Sequence, residues 1–161
     1  MMTVSHMQQA NQEIEVMPHV ILATDGSSFS DAAARFLAEG RLLQPGYTVH
    51  VVHVSPEVTG QVRAFVSKET IDAWHHDESE KAMASVCKIL GDAGVPFERH
   101  PLRGFAPDKI IAHARAVHAD AIVMGTHGRG SFFDAVIGSV AGRVLAQADC
   151  PVMMVKGDRA R

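Results

Sequence analysis

Short apolar runs alternate with helically spaced apolar positions along most of this chain. Apolar runs rich in β-branched residues predict five strands, at residues 19–24, 46–54, 95–102, 121–124 and 151–155. Helical spacing predicts helices between them, at 27–43, at about 70–92, through 110–117 and from 138 or 139 onward. Residues 55–67 show no clear period and are expected to form a loop with some helix.

Local signals fix several element ends. Ser27 or Ser28 is placed to cap the first helix, Gly94 to end the long one, and Pro107 lies near the first turn of the helix that follows the third strand. The apolar face of the long helix is predicted to consist of Ile71, Trp74, Met83, Val86, Ile89 and Leu90.

Strict alternation of strands and helices indicates an α/β fold. It predicts a single doubly wound, Rossmann-like sheet of five parallel strands in the order 3-2-1-4-5, with helices on both faces. Ligands of such sheets bind beyond the carboxyl ends of the strands, where the strand order reverses. Asp25 and Gly125 lie at the ends of the first and fourth strands, and these two strands are neighbours at that point.

Length and composition fit one soluble domain. The 161 residues allow a single core, predicted at 18–157, with a flexible N-terminal tail at 1–17 and a short C-terminal tail at 158–161. A net charge of −3 argues against binding to nucleic acid or to an anionic membrane. No apolar run reaches the roughly 18 residues of a membrane span, and no signal peptide is visible. Cys87 and Cys150 are expected to be reduced thiols of a cytoplasmic protein.

A glycine-rich stretch between the fourth strand and the last helix is the main functional signal. Gly125 and Gly128 are three residues apart, and nine residues separate Gly128 from the pair Gly138-Ser139. Glycines let the backbone approach a ligand closely, and unpaired N–H groups at a helix start favour phosphate. We therefore expect an anion site here.

The spacing G-x2-G-x9-G-S resembles the nucleotide-binding signature of the universal stress protein family, in its ATP-binding branch. Four further segments carry the same resemblance in the same order. They are Ile21-Leu-Ala-Thr-Asp-Gly-Ser27, Val51-Val-His-Val-Ser-Pro56, Asp120-Ala-Ile-Val-Met-Gly125 and Asp149-Cys-Pro-Val-Met-Met-Val155.

The resemblance implies a bound ATP, with Mg²⁺, and a set of binding residues. In the family the nucleotide is held by the residues that match Ala23, Asp25 and Val54, the last through its backbone. With their neighbours and the glycine loop, the predicted nucleotide-binding residues are Ala23, Thr24, Asp25, Val54, Gly125, Thr126, His127, Gly128, Arg129, Gly130, Ser131, Gly138, Ser139 and Val140.

Three of these positions have open alternatives. Asp25 could cap the following helix, or contact a ribose hydroxyl or a phosphate-bound magnesium ion. Arg129 could reach a terminal phosphate or remain a solvated loop charge. His127 is interpreted as a hydrogen-bonded residue rather than a catalytic base, since the sequence identifies no partner for it.

The ten histidines do not suggest a metal site by their spacing. His113 and His118 are five apart, and His50 and His53 fall on opposite faces of a strand. Walker, dinucleotide, nucleophile-elbow and nucleotidyl-transferase motifs are also missing from the sequence.

The sequence therefore favours binding over catalysis. We expect a cytoplasmic universal stress protein that binds ATP and acts as a nucleotide-responsive regulatory or protective module. The alternatives are a slow ATP hydrolase and an interaction module that no longer binds nucleotide. Pro151-Val-Met-Met-Val155 would lie at the sheet edge, apolar at consecutive positions, and is predicted to pair with itself in a homodimer.

Overall fold

The computed structural model describes residues 17–40, 46–128 and 137–157. Both predicted tails lie outside this range, except for Met17. In chain order the elements are β1 His19–Ala23, α1 Ser28–Ala38, β2 Thr48–Ser55, α2 Gly60–Arg63, α3 Lys68–Asp92, β3 Phe97–Arg103, α4 Ala106–Ala116, β4 Ala121–Gly125, α5 Ser139–Gln147 and β5 Val152–Val155.

All five strands form one parallel sheet in the order β3-β2-β1-β4-β5. This confirms the predicted α/β fold and the reversal of strand order beside β1. Central strands of such a sheet are covered on both faces, so they read as continuous apolar runs. β4 shows this directly, since all five of its residues are buried.

Two apolar cores flank the sheet. One joins α1 and α3 to the sheet through Leu22, Leu37, Val51, Met83 and Leu90. The other joins α4 and α5 to the opposite face through Ile21, Val52, Ile110, Ile122 and Val144. No helix among the described residues combines the length and apolar character that crossing a membrane requires.

Several element boundaries differ from the sequence prediction. α1 ends at Ala38 rather than at residue 43, because Gly40 has a φ of +62°, a conformation that ends helices. β3 starts at Phe97 rather than at residue 95, since Gly94, with φ of +69°, ends α3 and Val95 N still donates back to Leu90 O of that helix. The short helix α2 fits the loop with some helix expected over 55–67.

The apolar face predicted for α3 is correct only in its second half. Met83, Val86 and Leu90 are buried, but Trp74 is 42% exposed. The inward positions in the first half are polar, His75 and Ser79. The periodicity was misleading there because polar residues can be buried when hydrogen bonds satisfy them.

Candidate functional site

A pocket of about 610 Å³ opens at the carboxyl ends of β1, β2 and β4. This volume lies in the usual range for small-molecule sites. Ten of the predicted nucleotide-binding residues line the pocket: Ala23, Thr24, Asp25, Val54, Gly125, His127, Gly128, Gly138, Ser139 and Val140. The structure thus brings together segments that lie more than 100 residues apart in the chain.

The start of α5 forms one wall of the pocket. Gly138 occupies the N-cap, and no side chain caps this helix. Gly138 N donates to Thr126 O over 2.9 Å, and Gly142 N is the first amide to bond within the helix, to Gly138 O over 2.8 Å. The amides of Ser139, Val140 and Ala141 therefore have no partner in the helix ladder, and all three residues line the pocket. This is the donor arrangement that favours an anion.

The three motif glycines in the described residues serve different purposes. A Cβ at Gly125 would lie 2.6 Å from Phe29 Cβ and 2.8 Å from the backbone carbon of Phe29, so glycine is needed there for α1 to pack on β4. A Cβ at Gly128 would lie 2.5 Å from Asp25 Oδ2. At Gly138 the nearest atoms would be 3.5 Å away, an ordinary contact, and its φ of −57° suits any residue. The fold itself does not require glycine at position 138.

The carboxylate of Asp25 accepts hydrogen bonds at the start of α1. Its Oδ1 accepts hydrogen bonds from Ser27 N and from Ser30 Oγ, each over 3.0 Å. Ser27 in turn caps α1, as predicted, by accepting from Ser30 N. Oδ2 of Asp25 is directed towards Gly128 in the glycine loop. One oxygen therefore holds the helix start, while the carboxylate as a whole lines the pocket.

The backbone of Val54 faces the pocket rather than a strand. Thr24 N donates to Val52 O over 2.9 Å, the last hydrogen bond between β1 and β2 among the described residues. Hydrogen-bonding direction alternates along a strand, and the bond from Gly104 N to Ser55 O is made on the β3 side. Val54 therefore points its N–H and C=O past the end of β1, into the crevice.

The far wall of the pocket was not foreseen from the sequence. Trp74 and Glu78 of α3 line it, together with His53 and Ser55 of β2. His53 Nδ1 and Ser79 Oγ are 3.1 Å apart, and Ser55 Oγ and His75 Nδ1 are 2.6 Å apart, so two polar pairs join β2 to α3. Burial, with Arg103 as a lesser cause, lowers the pKa of His75 below its ordinary value. Helical periodicity gives no signal for such pairs, because the partners are on different elements.

His127 presents an unsatisfied atom in this region. Its Nδ1 lies 3.0 Å from Thr126 Oγ1, whereas its Nε2 is buried and has no hydrogen-bond partner among the described residues. Thr126 is buried but does not line the pocket. The predicted site residues Arg129, Gly130 and Ser131 lie outside the described residues.

The described residues that line the pocket carry a net negative charge. Asp25 and Glu78 line the pocket, and no lysine or arginine does within the described part of the chain. Among the described residues, the groups that could attract an anion here are backbone N–H groups, as the net charge of the sequence suggests.

The histidines form a group that sequence spacing did not suggest. His50 and His53 do lie on opposite sides of β2, as predicted, since His53 meets α3 and His50 meets His113 of α4. However, His50, His100 and His113 come together from β2, β3 and α4. The prediction that no histidines have metal-site spacing considered only single elements, and this meeting of three elements lay outside it.

Comparison with known proteins agrees with this architecture. The model of the "Universal stress protein family" matches residues 17–156. A universal stress protein of Methanocaldococcus jannaschii is 34% identical over 139 residues, which cover 85% of this chain and 81% of that protein. Universal stress protein A homolog 1 of Coxiella burnetii is 31% identical, covering 85% and 94%. The universal stress protein of Archaeoglobus fulgidus, solved in complex with dAMP, is 31% identical with a TM-score of 0.63, covering 87% and 98%.

Proposed function

The chain belongs to the universal stress protein family, and we propose that its pocket binds ATP with Mg²⁺, so that it acts in the cytoplasm as a nucleotide-responsive regulatory or protective module. The observation that carries the proposal is that two sets of backbone hydrogen-bonding groups line the same pocket. The unpaired amides of α5 suit phosphate oxygens, and the N–H and C=O of Val54 suit the edge of an adenine ring.

The two halves of the nucleotide have separate partners in this proposal. Ser139, Val140 and Ala141 supply N–H groups to the phosphates, and the hydroxyl of Ser139 adds a further donor. Val54 selects adenine by its backbone, and the indole of Trp74 offers an aromatic face at the rim. The dAMP complex of the Archaeoglobus fulgidus relative supports an adenine nucleotide as the ligand class.

Asp25 and the glycine loop would bind the phosphates and their Mg²⁺ ion. Mg²⁺ prefers carboxylate and phosphate oxygens, and Asp25 lines the pocket beside Gly128. The role of Arg129 at a terminal phosphate stays a prediction.

Binding rather than hydrolysis is proposed because Asp25 has a structural role in the described pocket that requires no catalysis. Its Oδ1 accepts from Ser27 N and Ser30 Oγ at the start of α1, which holds the carboxylate in place.

A homodimer through β5 is part of the proposal. β5 is the sheet edge, and its four residues, Val152–Val155, are half-buried. Ile122 N donates to Pro151 O and Thr126 N to Val155 O, so alternate residues of β5 face β4. Val152 and Met154 therefore direct their backbone groups to the open edge, where a second copy of the strand could pair.

Thermal unfolding with and without Mg²⁺-ATP tests the nucleotide site. At 100 times its Kd a ligand adds about 2.7 kcal/mol to the free energy of unfolding, which raises Tm by roughly 5–11 °C for a domain of this size. Gly138→Val places a branched side chain at the N-cap of α5 without a clash inside the protein, so it should abolish the shift in a folded protein.

Gly142→Ala is the matched control in the same helix. Its Cβ would meet only Ile137 Cγ2, at 3.9 Å, so the variant should keep the full ATP shift. The proposal fails if wild-type protein shows no shift, or if Gly138→Val and Gly142→Ala respond to ATP alike.

A further inference from the structure

Four histidines gather on the face of the sheet that α4 covers, and none of them lines the nucleotide pocket. His19, His50 and His100 lie on β1, β2 and β3, and the register pairs Ile21 with His50 and Val52 with His100. Since paired residues share a face, the three imidazoles project to the side that α4 covers. There His113 meets them, with ring centroids 4.3 Å from His100 and 5.7 Å from His50.

Three of these histidines bring their ring nitrogens close enough to share one ion, and Glu98 lies beside them. One ring nitrogen from each of His50, His100 and His113 lies within 4.8 Å of the other two. His50 Nδ1 and His100 Nε2 are 2.9 Å apart. Oε2 of Glu98 lies 3.4 Å from His100 Nε2 and 3.7 Å from His50 Nδ1.

These distances suit tetrahedral coordination. Zinc binds histidine nitrogen at 2.0–2.1 Å and carboxylate oxygen at 2.0–2.2 Å, so ligand atoms of a tetrahedral site are separated by about 3.3 Å. The three separations among His50, His100 and Glu98 bracket that value. The ring nitrogen of His113 lies within 4.8 Å of those of His50 and His100, so its side chain has to move inward to complete the set.

His113 contributes a buried ring nitrogen to this group. Nε2 of His113 is buried and has no hydrogen-bond partner among the described residues. A buried polar atom of this kind is costly unless something satisfies it.

An outer partner for the central ligand is also present. His19 Nδ1 and His50 Nε2 lie 2.9 Å apart, so one of these nitrogens donates to the other. When His50 Nε2–H donates to His19, the lone pair on Nδ1 of His50 accepts a hydrogen bond from His100 Nε2–H, and a metal ion would take the place of that proton. Metal-bound histidines are usually held by such a hydrogen bond from their second nitrogen.

We propose that His50, His100, His113 and Glu98 bind one divalent transition-metal ion of the zinc class. A set of three imidazoles and one carboxylate matches the ligand preference of zinc and its neighbours rather than that of magnesium or calcium. The side chains of His100 and Glu98 are 24% and 62% exposed, so an ion can enter from solvent on the β3 side. The ion would join β2, β3 and α4 on the face of the sheet that α4 covers.

Calorimetric titration of chelator-treated, full-length protein with ZnCl₂ tests this site. Wild-type protein should bind one equivalent and gain thermal stability. His100→Gln and His113→Gln should each weaken Zn²⁺ binding by at least about tenfold. Titration with Co²⁺ should give the strong visible absorption of a four-coordinate ion in the wild type and lose it in both variants.

His76→Gln is the matched control, since His76 is an exposed histidine on α3. It should bind Zn²⁺ as the wild type does. If His113→Gln does not fold by circular dichroism, His100→Gln and Glu98→Gln, at the more exposed positions, provide the comparison. Absence of stoichiometric binding, or equal affinity in His100→Gln and His76→Gln, would overturn the site. Gly138→Val should bind Zn²⁺ normally, so a failure of nucleotide binding is distinguishable from a failure of metal binding.

Discussion

Replacement of Gly128 by alanine should destabilise the protein through Asp25. The new Cβ would lie 2.5 Å from Asp25 Oδ2, and ordinary contacts begin at about 3.4 Å, so the carboxylate must retreat by about 0.9 Å. That movement breaks or stretches the bonds that Oδ1 accepts from Ser27 N and Ser30 Oγ. The backbone at Gly128 is not in the left-handed region, so conformational strain is not part of this effect.

The expected loss follows from those two hydrogen bonds. A hydrogen bond to a charged group contributes about 1.5–3 kcal/mol, and we expect the loss of about one such bond in total, since Asp25 is only partly buried. For 161 residues each kcal/mol changes Tm by roughly 2–4 °C. Gly128→Ala should therefore lower Tm by roughly 3–12 °C in the absence of nucleotide.

A double-mutant cycle identifies the cause. Asp25→Ala removes the same hydrogen bonds and the obstructing oxygen, so adding Gly128→Ala to it should cost almost nothing. Urea unfolding of the wild type, both single variants and the double variant measures the coupling energy. If the losses of the two single variants add in the double variant, the clash with Asp25 is not the reason for glycine at position 128.

Two further predictions concern pH and assembly. Because the folded-state pKa of His75 is lowered, the unfolded state binds protons more readily than the folded state. The free energy of unfolding should therefore fall as the pH decreases below the unfolded-state pKa of about 6.5. In urea unfolding at a series of pH values, His75→Gln should flatten this dependence and His76→Gln should not. Met154→Pro removes an N–H from the open edge of β5 and should give monomers in light scattering. Met153→Pro removes an N–H that faces β4 and should instead lower Tm. A Met154→Pro protein that stays dimeric would locate the interface elsewhere.

The sequence predicted the sheet because its strands have a simple pattern. β1, β2 and β4 are buried on both faces, so they appear as continuous apolar runs that need no knowledge of their partners. The glycine loop and Asp25 could be placed at one site because parallel strands align their carboxyl ends. These inferences depend on local composition and on chain order alone.

Features formed by residues that are far apart in the chain could not be predicted from the sequence. The pocket wall at Trp74 and Glu78 depends on α3 turning a polar face to β2, which apolar periodicity cannot indicate. The group of His50, His100 and His113 depends on strand register and on where α4 crosses the sheet. The backbone direction at Val54 depends on β1 ending at Ala23, one residue earlier than predicted.

The two halves of α3 are attached to the sheet by different forces, which respond differently to the solvent. The half that carries Met83, Val86 and Leu90 is held by buried hydrocarbon, whose contribution grows with the area removed from water. The half that carries His75 and Ser79 is held by hydrogen bonds to Ser55 and His53 and by the ion pair of Asp72 with Arg103 of β3. A neutral hydrogen bond contributes about 0.5–1.5 kcal/mol net, and an exposed ion pair weakens as salt is added. Trp74 lies on the polar half, so the pocket wall is the part of α3 whose attachment depends on ionic strength.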